Sequence, residues 1–222
     1  MKANASERVF RDRAEAGRLL AGALADYAGR DDVIVLGLPR GGVPVAAEVA
    51  RALGAPLDVL VVRKLGAPGQ EELAIGAIGE GGMRVLNERL VRDLGLSRSG
   101  IERIAAEEER ELERRVAAYR GDHEALEVEG KTVIVVDDGV ATGATMRAGL
   151  QTLRALGAAK IIAAAPVGAA DSVALLEDEA DEVVVLETPV WFSAVGQWYD
   201  NFGQTDDAEV RALLAHNRRA LL

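Results

Sequence analysis

The 222-residue sequence has no cysteine, which removes disulfide frameworks, thiolate metal sites and a cysteine nucleophile together. Its two histidines, His123 and His216, are too few for a histidine-rich metal centre, and His123 reads as a loop residue. Basic residues are outnumbered 26 to 36, giving a net charge of −10. That balance argues against general nucleic-acid binding, where clustered Lys and Arg must meet phosphates. No apolar run approaches the ~18 residues of a membrane span, and the opening MKANASERVF carries no signal-type hydrophobic segment. The chain is expected to work in the cytoplasm, away from membranes. Neither GxGxxG nor a GxxxxGK phosphate loop stands at a strand–helix junction, which disfavours a dinucleotide redox enzyme or a P-loop triphosphatase. Aromatics are scarce too, eight in all, and five of them fall between 191 and 202.

What is present is ordinary globular material: 49% hydrophobic and 28% charged residues, in a chain long enough to bury a substantial core. The rest of the chain is organised around TVIVVDDGVATGAT, residues 132–145. Its β-branched aliphatics read as a buried strand. The carboxylates Asp137 and Asp138 follow where the strand must end, then the small-residue loop GVATGAT and a helix-forming run. Unpaired loop amides and a helix dipole suit a phosphate, and acids at a strand end suit sugar hydroxyls. The two ends differ chemically, as a phosphorylated sugar requires.

The order of four aliphatics, DD, two residues and A-T-G-x-T resembles the phosphoribosyl pyrophosphate signature of the type I phosphoribosyltransferases. The resemblance implies that Asp137 and Asp138 face the ribose 2′- and 3′-hydroxyls. It places Ala141, Thr142, Gly143, Ala144 and Thr145 around the 5′-phosphate. Some members carry an acid that serves a purine proton where this chain has Ala141, so that role has no support here, and Ala-Thr-Gly looks closer to the adenine-type loop.

Two further stretches fit the same resemblance. Strand VIVLGL (33–38) runs into Pro39, Arg40, Gly41 and Gly42 and then a helix from Val43 to Leu53. A guanidinium among flexible amides suits a diphosphate, and the family places its pyrophosphate loop at this point in the order. The apolar run Leu57 to Val62 ends in Arg63 and Lys64, then LGAPGQEE. By similarity to the adenine-type VRK, these two cations neutralise the leaving diphosphate and residues 67–72 form a lid, with Glu71 and Glu72 as optional proton acceptors. A Mg²⁺ ion is implied, bound mainly through the donor's own oxygens.

The remaining elements complete an alternation. Ser6 is placed to cap a first helix ending at Gly29, with Phe10 and Tyr27 as core contacts. Residues 73–86 read as a β-hairpin turning at Gly81-Gly82, Asn87 caps a short helix, and Ser97 or Ser99 opens a long one to Tyr119 with a single apolar stripe. The central helix (145–156), a strand from about Lys160, a short helix (171–179) and strand 182–187 follow. The predicted fold is α/β, a doubly wound, mostly parallel sheet with helices on both faces, plus a hairpin or lid and a small hood. It is expected as one domain over 1–222, core about 30–187, hood about 188–204 and a terminal helix 207–220 capped by Asp206. The hood holds Trp191, Phe192, Trp198 and Tyr199. Rings on irregular backbone suit stacking on a nucleobase, while a hydrophobic plug or a homodimer contact is the competing reading. The expected activity is transfer of a phosphoribosyl group to a small, purine-like base. A regulator that binds the donor without turnover is the alternative.

Overall fold

The computed structural model describes residues 9–121 and 123–220. In chain order the elements are α1 (Arg13–Ala23), β1 (Val33–Gly37), α2 (Gly42–Leu53), β2 (Leu57–Val59), β3 (Val62–Ala67), β4 (Gln70–Gly79), β5 (Arg84–Leu86), α3 (Glu88–Asp93) and α4 (Arg98–Arg120). They continue with β6 (Thr132–Val136), α5 (Ala144–Ala155), β7 (Lys160–Val167), α6 (Ala170–Glu177), β8 (Glu182–Glu187) and α7 (Asp207–Ala220). The main sheet has the order β2-β1-β6-β7-β8, and every pairing in it is parallel. The chain moves outward from β1 to β2, then returns to place β6 against the other side of β1. That reversal makes β1/β6 the switch point, where α/β sheets open a crevice at their carboxyl ends.

The strands read as unbroken aliphatic strings because both faces of the sheet are covered. Ile34, Leu36, Val133, Val135, Ile161 and Ala163 share one core with Leu150 and Leu153 of α5 and Leu176 of α6. Their neighbours Val33, Val35, Ile134, Val136 and Ile162 share the other with Leu20 of α1 and Val45 and Val49 of α2. β3-β4-β5 form a separate antiparallel sheet that packs against α4 and α5. Ile101, Ala105, Leu112 and Tyr119 are the buried stripe of α4, and they join Leu65, Ile75 and Ile78 of the small sheet. No helix among the described residues is long and apolar enough to cross a membrane.

Three sequence expectations are redrawn. Helix α1 starts at Arg13, capped by Asp12, whose side chain accepts from the Glu15 amide; Ser6 lies outside the described residues. Phe10 is instead an extended residue bridged to Tyr199. The run Leu57–Val62 is not one strand: β2 ends at Val59 and the chain changes sheets, so Arg63 and Lys64 lie inside β3. Asp58 marks the corner, buried and bonded through both oxygens to Nε of Arg120 at 3.2 and 3.0 Å. Finally, the segment read as a lid is the turn of the β3/β4 hairpin, with Ala67 paired to Gln70; the side chains of Glu71 and Glu72 lie outside those described. The second turn falls at 80–82, between β4 and β5, as the Gly-Gly pair indicates.

Candidate functional site

Because β1 and β6 are adjacent and in register, the loops that leave their carboxyl ends meet. The peptide between Pro39 and Arg40 is cis. Gly41 and Gly42 lie directly against the acids: a Cβ on Gly41 would stand 2.1 Å from Asp138 Oδ2, and one on Gly42 would stand 2.6 Å from the Val136 carbonyl oxygen and 2.8 Å from Asp137 Cα. A side chain on Gly42 would push the two loops apart and one on Gly41 would displace the Asp138 carboxylate, so the approach demands both glycines. Asp137 turns back on the loop, Oδ1 accepting from the Asp138 amide at 2.8 Å. Burial and the neighbouring Asp138 charge hold its carboxyl well above the usual carboxylate range. Asp138 is pushed up by burial and drawn back by Arg13. Beyond the interaction of the two carboxyls with each other, Asp137 Oδ2 and Asp138 Oδ1 have no hydrogen-bond partner among the described residues.

Residues 139–146 with Asp137 line a depression of about 190 Å³. The Val140 amide bonds the Val167 carbonyl and the Ala169 amide bonds the Val140 carbonyl, both at 2.9 Å. Ser172 Oγ donates to the Ala141 carbonyl at 2.6 Å. Thus the loop is stitched from behind to β7 and α6. Gly143 takes φ +70°, a left-handed conformation that suits glycine, and α5 begins at the next residue. In front, the amides of Ala141, Thr142, Gly143 and Thr145 have no partner among the described residues. Thr142 and Thr145 are exposed beside them. A loop with open amides at a helix start is an arrangement that can hold an anion.

Sequence reasoning missed Arg13. Its Nε donates to Asp138 Oδ2 at 2.8 Å and its Nη1 to the Gly203 carbonyl at 2.6 Å, while the guanidinium lies 4.0 Å from the Phe202 ring centroid. The start of the chain delivers it. Phe10 N bonds the Trp198 carbonyl and the Asp200 amide bonds the Phe10 carbonyl, each at 2.8 Å, so α1 starts beside the acid pair. The only local signal is a cation in the first turn of a helix, where the dipole opposes it.

The other expected site residues divide. Lys64 lines a cavity of about 280 Å³ with Ala144 and Arg147 of α5, next to the anion cradle. Arg63 reaches α4 instead, its Nε 2.6 Å from Glu108 Oε2. The Arg40 side chain lies 3.7 Å from Asp207 at the start of α7, although its backbone belongs to the loop against the acids. Trp198 and Tyr199, expected to offer faces to a base, are instead buried with Phe10 and Val167. The Tyr199 hydroxyl donates to the Asp138 carbonyl at 2.5 Å, and burial followed by the Asp138 charge holds it protonated far above its ordinary range. The plug reading describes these two rings. Phe192 is half-buried and stacked on Trp198 at 6.5 Å, whereas Trp191 is 85% exposed.

Fold and site define a class: α/β proteins with an amide cradle and an acid pair at the switch point of a parallel sheet. The chain belongs to the phosphoribosyl transferase domain family, which matches residues 9–201. Two curated proteins of Mycobacterium tuberculosis, from strains CDC 1551 and H37Rv and provisionally named phosphoribosyl transferases, are 52% identical over 212 residues. The alignment covers 96% of this chain and 48% of each of those proteins, so the chain spans about half the length of the curated relatives it matches. The crystal structure of TT1426 from Thermus thermophilus superposes with a TM-score of 0.87 at 47% identity, over 94% of this chain and 98% of that one.

Proposed function

We propose that the chain transfers the 5-phosphoribosyl group of phosphoribosyl pyrophosphate to a nitrogenous base, purine-like by preference, with release of diphosphate. One observation carries the reading: two carboxyls, each with an oxygen bonded to nothing but the other acid, stand directly before a loop of unpaired amides. The cradle 141–145 takes the 5′-phosphate, Asp137 and Asp138 take the two ribose hydroxyls, and the amides of Arg40 and Gly41 with Lys64 meet the diphosphate. The bond from the anomeric carbon to diphosphate breaks as the bond to the acceptor nitrogen forms, through a cationic sugar. A buried negative charge, costly in the resting protein, is favoured when positive charge develops beside it, and that difference lowers the barrier. Trp191 and Phe192 are the hood residues left to meet the acceptor.

Magnesium fits this site as a passenger of the donor. Among the described residues no group of three or more His, Asp or Glu gathers as a cage, while diphosphate and ribose oxygens supply the hard ligands Mg²⁺ prefers. When bound it would neutralise charge on the departing diphosphate.

A second reading has its own observation. Arg63 is engaged by Glu108 and Arg40 lies beside Asp207, which takes two of three expected cations away from the leaving group and suits a regulator that binds the donor without turnover. Incubation with phosphoribosyl pyrophosphate, Mg²⁺ and a panel of bases, following diphosphate, separates the two. Release that depends on one base establishes the transferase; binding with no release on any base supports the regulator; absence of binding removes both.

A further inference from the structure

Arg13 divides its donors and its flat face between two separate parts of the molecule, the acid pair and the segment at 202–203. Nε meets Asp138 Oδ2, Nη1 meets the Gly203 carbonyl, and the guanidinium covers Phe202 at 4.0 Å. The Arg13 and Asp138 side chains are 12% and 13% exposed, so water screens the pair little. Oδ2 is also closed by Gly41, whose Cα approaches so nearly that a Cβ would stand 2.1 Å away. With Oδ2 held from two sides, Oδ1 is the oxygen of Asp138 that has no partner among the described residues apart from the neighbouring Asp137 carboxyl. Phe202 in turn packs on Gly196, where a Cβ would meet its Cδ1 at 2.9 Å, and on the Tyr199 ring at 5.1 Å. Gly139, at the root of the anion cradle, packs on Val195 of the same segment. One arginine from the start of the chain therefore bridges the acid pair and the irregular stretch 195–203.

We propose that Arg13 is a positioning residue for the donor: it fixes Asp138 with Oδ2 occupied and Oδ1 left for a ribose hydroxyl, and it makes that grip depend on the 195–203 segment. This rests on the phosphoribosyl pyrophosphate reading above and adds to it a control point that the signature sequence does not contain. A carboxylate with one oxygen pinned by a charge-assisted bond presents the other in a single orientation, so the sugar is met by a preformed acceptor. The groups facing Asp138 are Arg13 from α1, Asp137 and the Gly41 backbone from the two loops, and the Tyr199 phenol on its carbonyl. Arg13 is the cation among these, so its loss leaves burial and Asp137 to hold the Asp138 proton on. Conversely, disturbance of Phe202 reaches the ribose site through the guanidinium, although no Phe202–Asp138 contact occurs.

The test is donor binding by calorimetry on the full chain, with phosphoribosyl pyrophosphate and Mg²⁺, across pH 5 to 8, for wild type, Arg13→Met, Arg13→Lys and Phe202→Ala. Arg13→Met is expected to weaken binding about 10-fold or more, the effect of leaving a buried charged acceptor without its donor, and to move the acid limb of binding to higher pH. Arg13→Lys, which keeps the charge but not the fork or the flat face, recovers the wild-type limb but only part of the affinity. Phe202→Ala weakens binding by roughly 2- to 5-fold, the scale of an exposed cation–π contact. Wild-type affinity and an unmoved limb in Arg13→Met overturn the proposal; if that variant does not fold, unchanged affinity in both Arg13→Lys and Phe202→Ala does so. Absence of donor binding by the wild type is a different failure, because it removes the phosphoribosyl pyrophosphate reading itself.

Discussion

Two arginines clamp carboxylates at the main sheet, and they differ in what they leave over. Arg120, at the end of α4, holds Asp58 of β2 through Nε and Glu80 through both terminal nitrogens. Asp58 also accepts from the Val59 and Leu126 amides at 2.8 and 3.3 Å, so each of its oxygens is taken twice. Arg13 holds Asp138 by one bond and leaves Asp138 Oδ1 and Asp137 Oδ2 with no partner among the described residues other than each other's carboxyl. The first cluster is a closed polar network that ties the small sheet to the large one. The second is an open one, charged and half-buried, and an incomplete network has the capacity to accept a ligand. Helix electrostatics draw the same line: Arg120 sits where the dipole favours a cation, Arg13 where it does not. Local rules account for the strut, and their violation marks the site.

The comparison predicts opposite phenotypes. Arg120→Met should cost the most stability, about 3–5 kcal/mol, because it strands Asp58 in the interior without its counter-charge. The loss is read from urea midpoints, with donor turnover per folded molecule unchanged at low temperature. A full-length melt within experimental error of wild type would show that the network is not a strut. Asp138→Asn should do the reverse, lowering diphosphate release by about 10²–10³ while moving the urea midpoint far less than Arg120→Met.

Asp137 sharpens the contrast through pH. Its folded carboxyl binds a proton more readily than the unfolded one, so stability is gained as pH falls through the raised folded value and lost as pH rises through it. At neutral pH, above the unfolded carboxyl's value, holding this group in its buried place is a cost to the folded chain. Asp137→Asn is therefore expected to melt above wild type at pH 7, with the advantage gone below about pH 4, where the unfolded carboxyl is protonated too. It should also lose turnover, the exchange of stability for function expected of a site carrying uncompensated charge. A lower melting temperature than wild type at pH 7 would mean that the carboxylate is stabilising and that the acid pair is not under stress.

How much of this was legible in the sequence follows from distance along the chain. The acid pair and the cradle are consecutive residues whose chemistry reads off directly, and the Pro39–Gly42 loop follows its strand in the same way. Arg13 meets Asp138 across 125 positions, with nothing in periodicity to join them. The run LDVLVV carries no Gly or Pro between its strands, so a strand that changes sheets looks continuous, and the buried Asp58 is the one residue out of place. The aromatic cluster was visible as composition. Which rings turn inward was not, because Trp198 and Tyr199 are covered by Phe10, brought from the far end of the chain.

The smallest expected effect is at Arg63, where the sequence and the structure disagree. Similarity to the VRK of adenine-type members sends this side chain to the diphosphate, whereas β3 alternation sets it apart from Lys64 and Nε meets Glu108 at 2.6 Å. The pair is 30% and 26% exposed, so its contribution is discounted for solvent screening to less than about 1 kcal/mol. Arg63→Ala should accordingly shift the urea midpoint slightly and change the donor KM by less than about 5-fold, an effect of the same size in free energy. Glu108→Gln, which breaks the pair from the other side and spares the guanidinium, should behave alike. If Arg63→Ala instead loses about 100-fold in kcat/KM while Glu108→Gln does not, then the arginine leaves its partner when the donor binds. The small sheet would then be part of the catalytic machinery as well as a support for it.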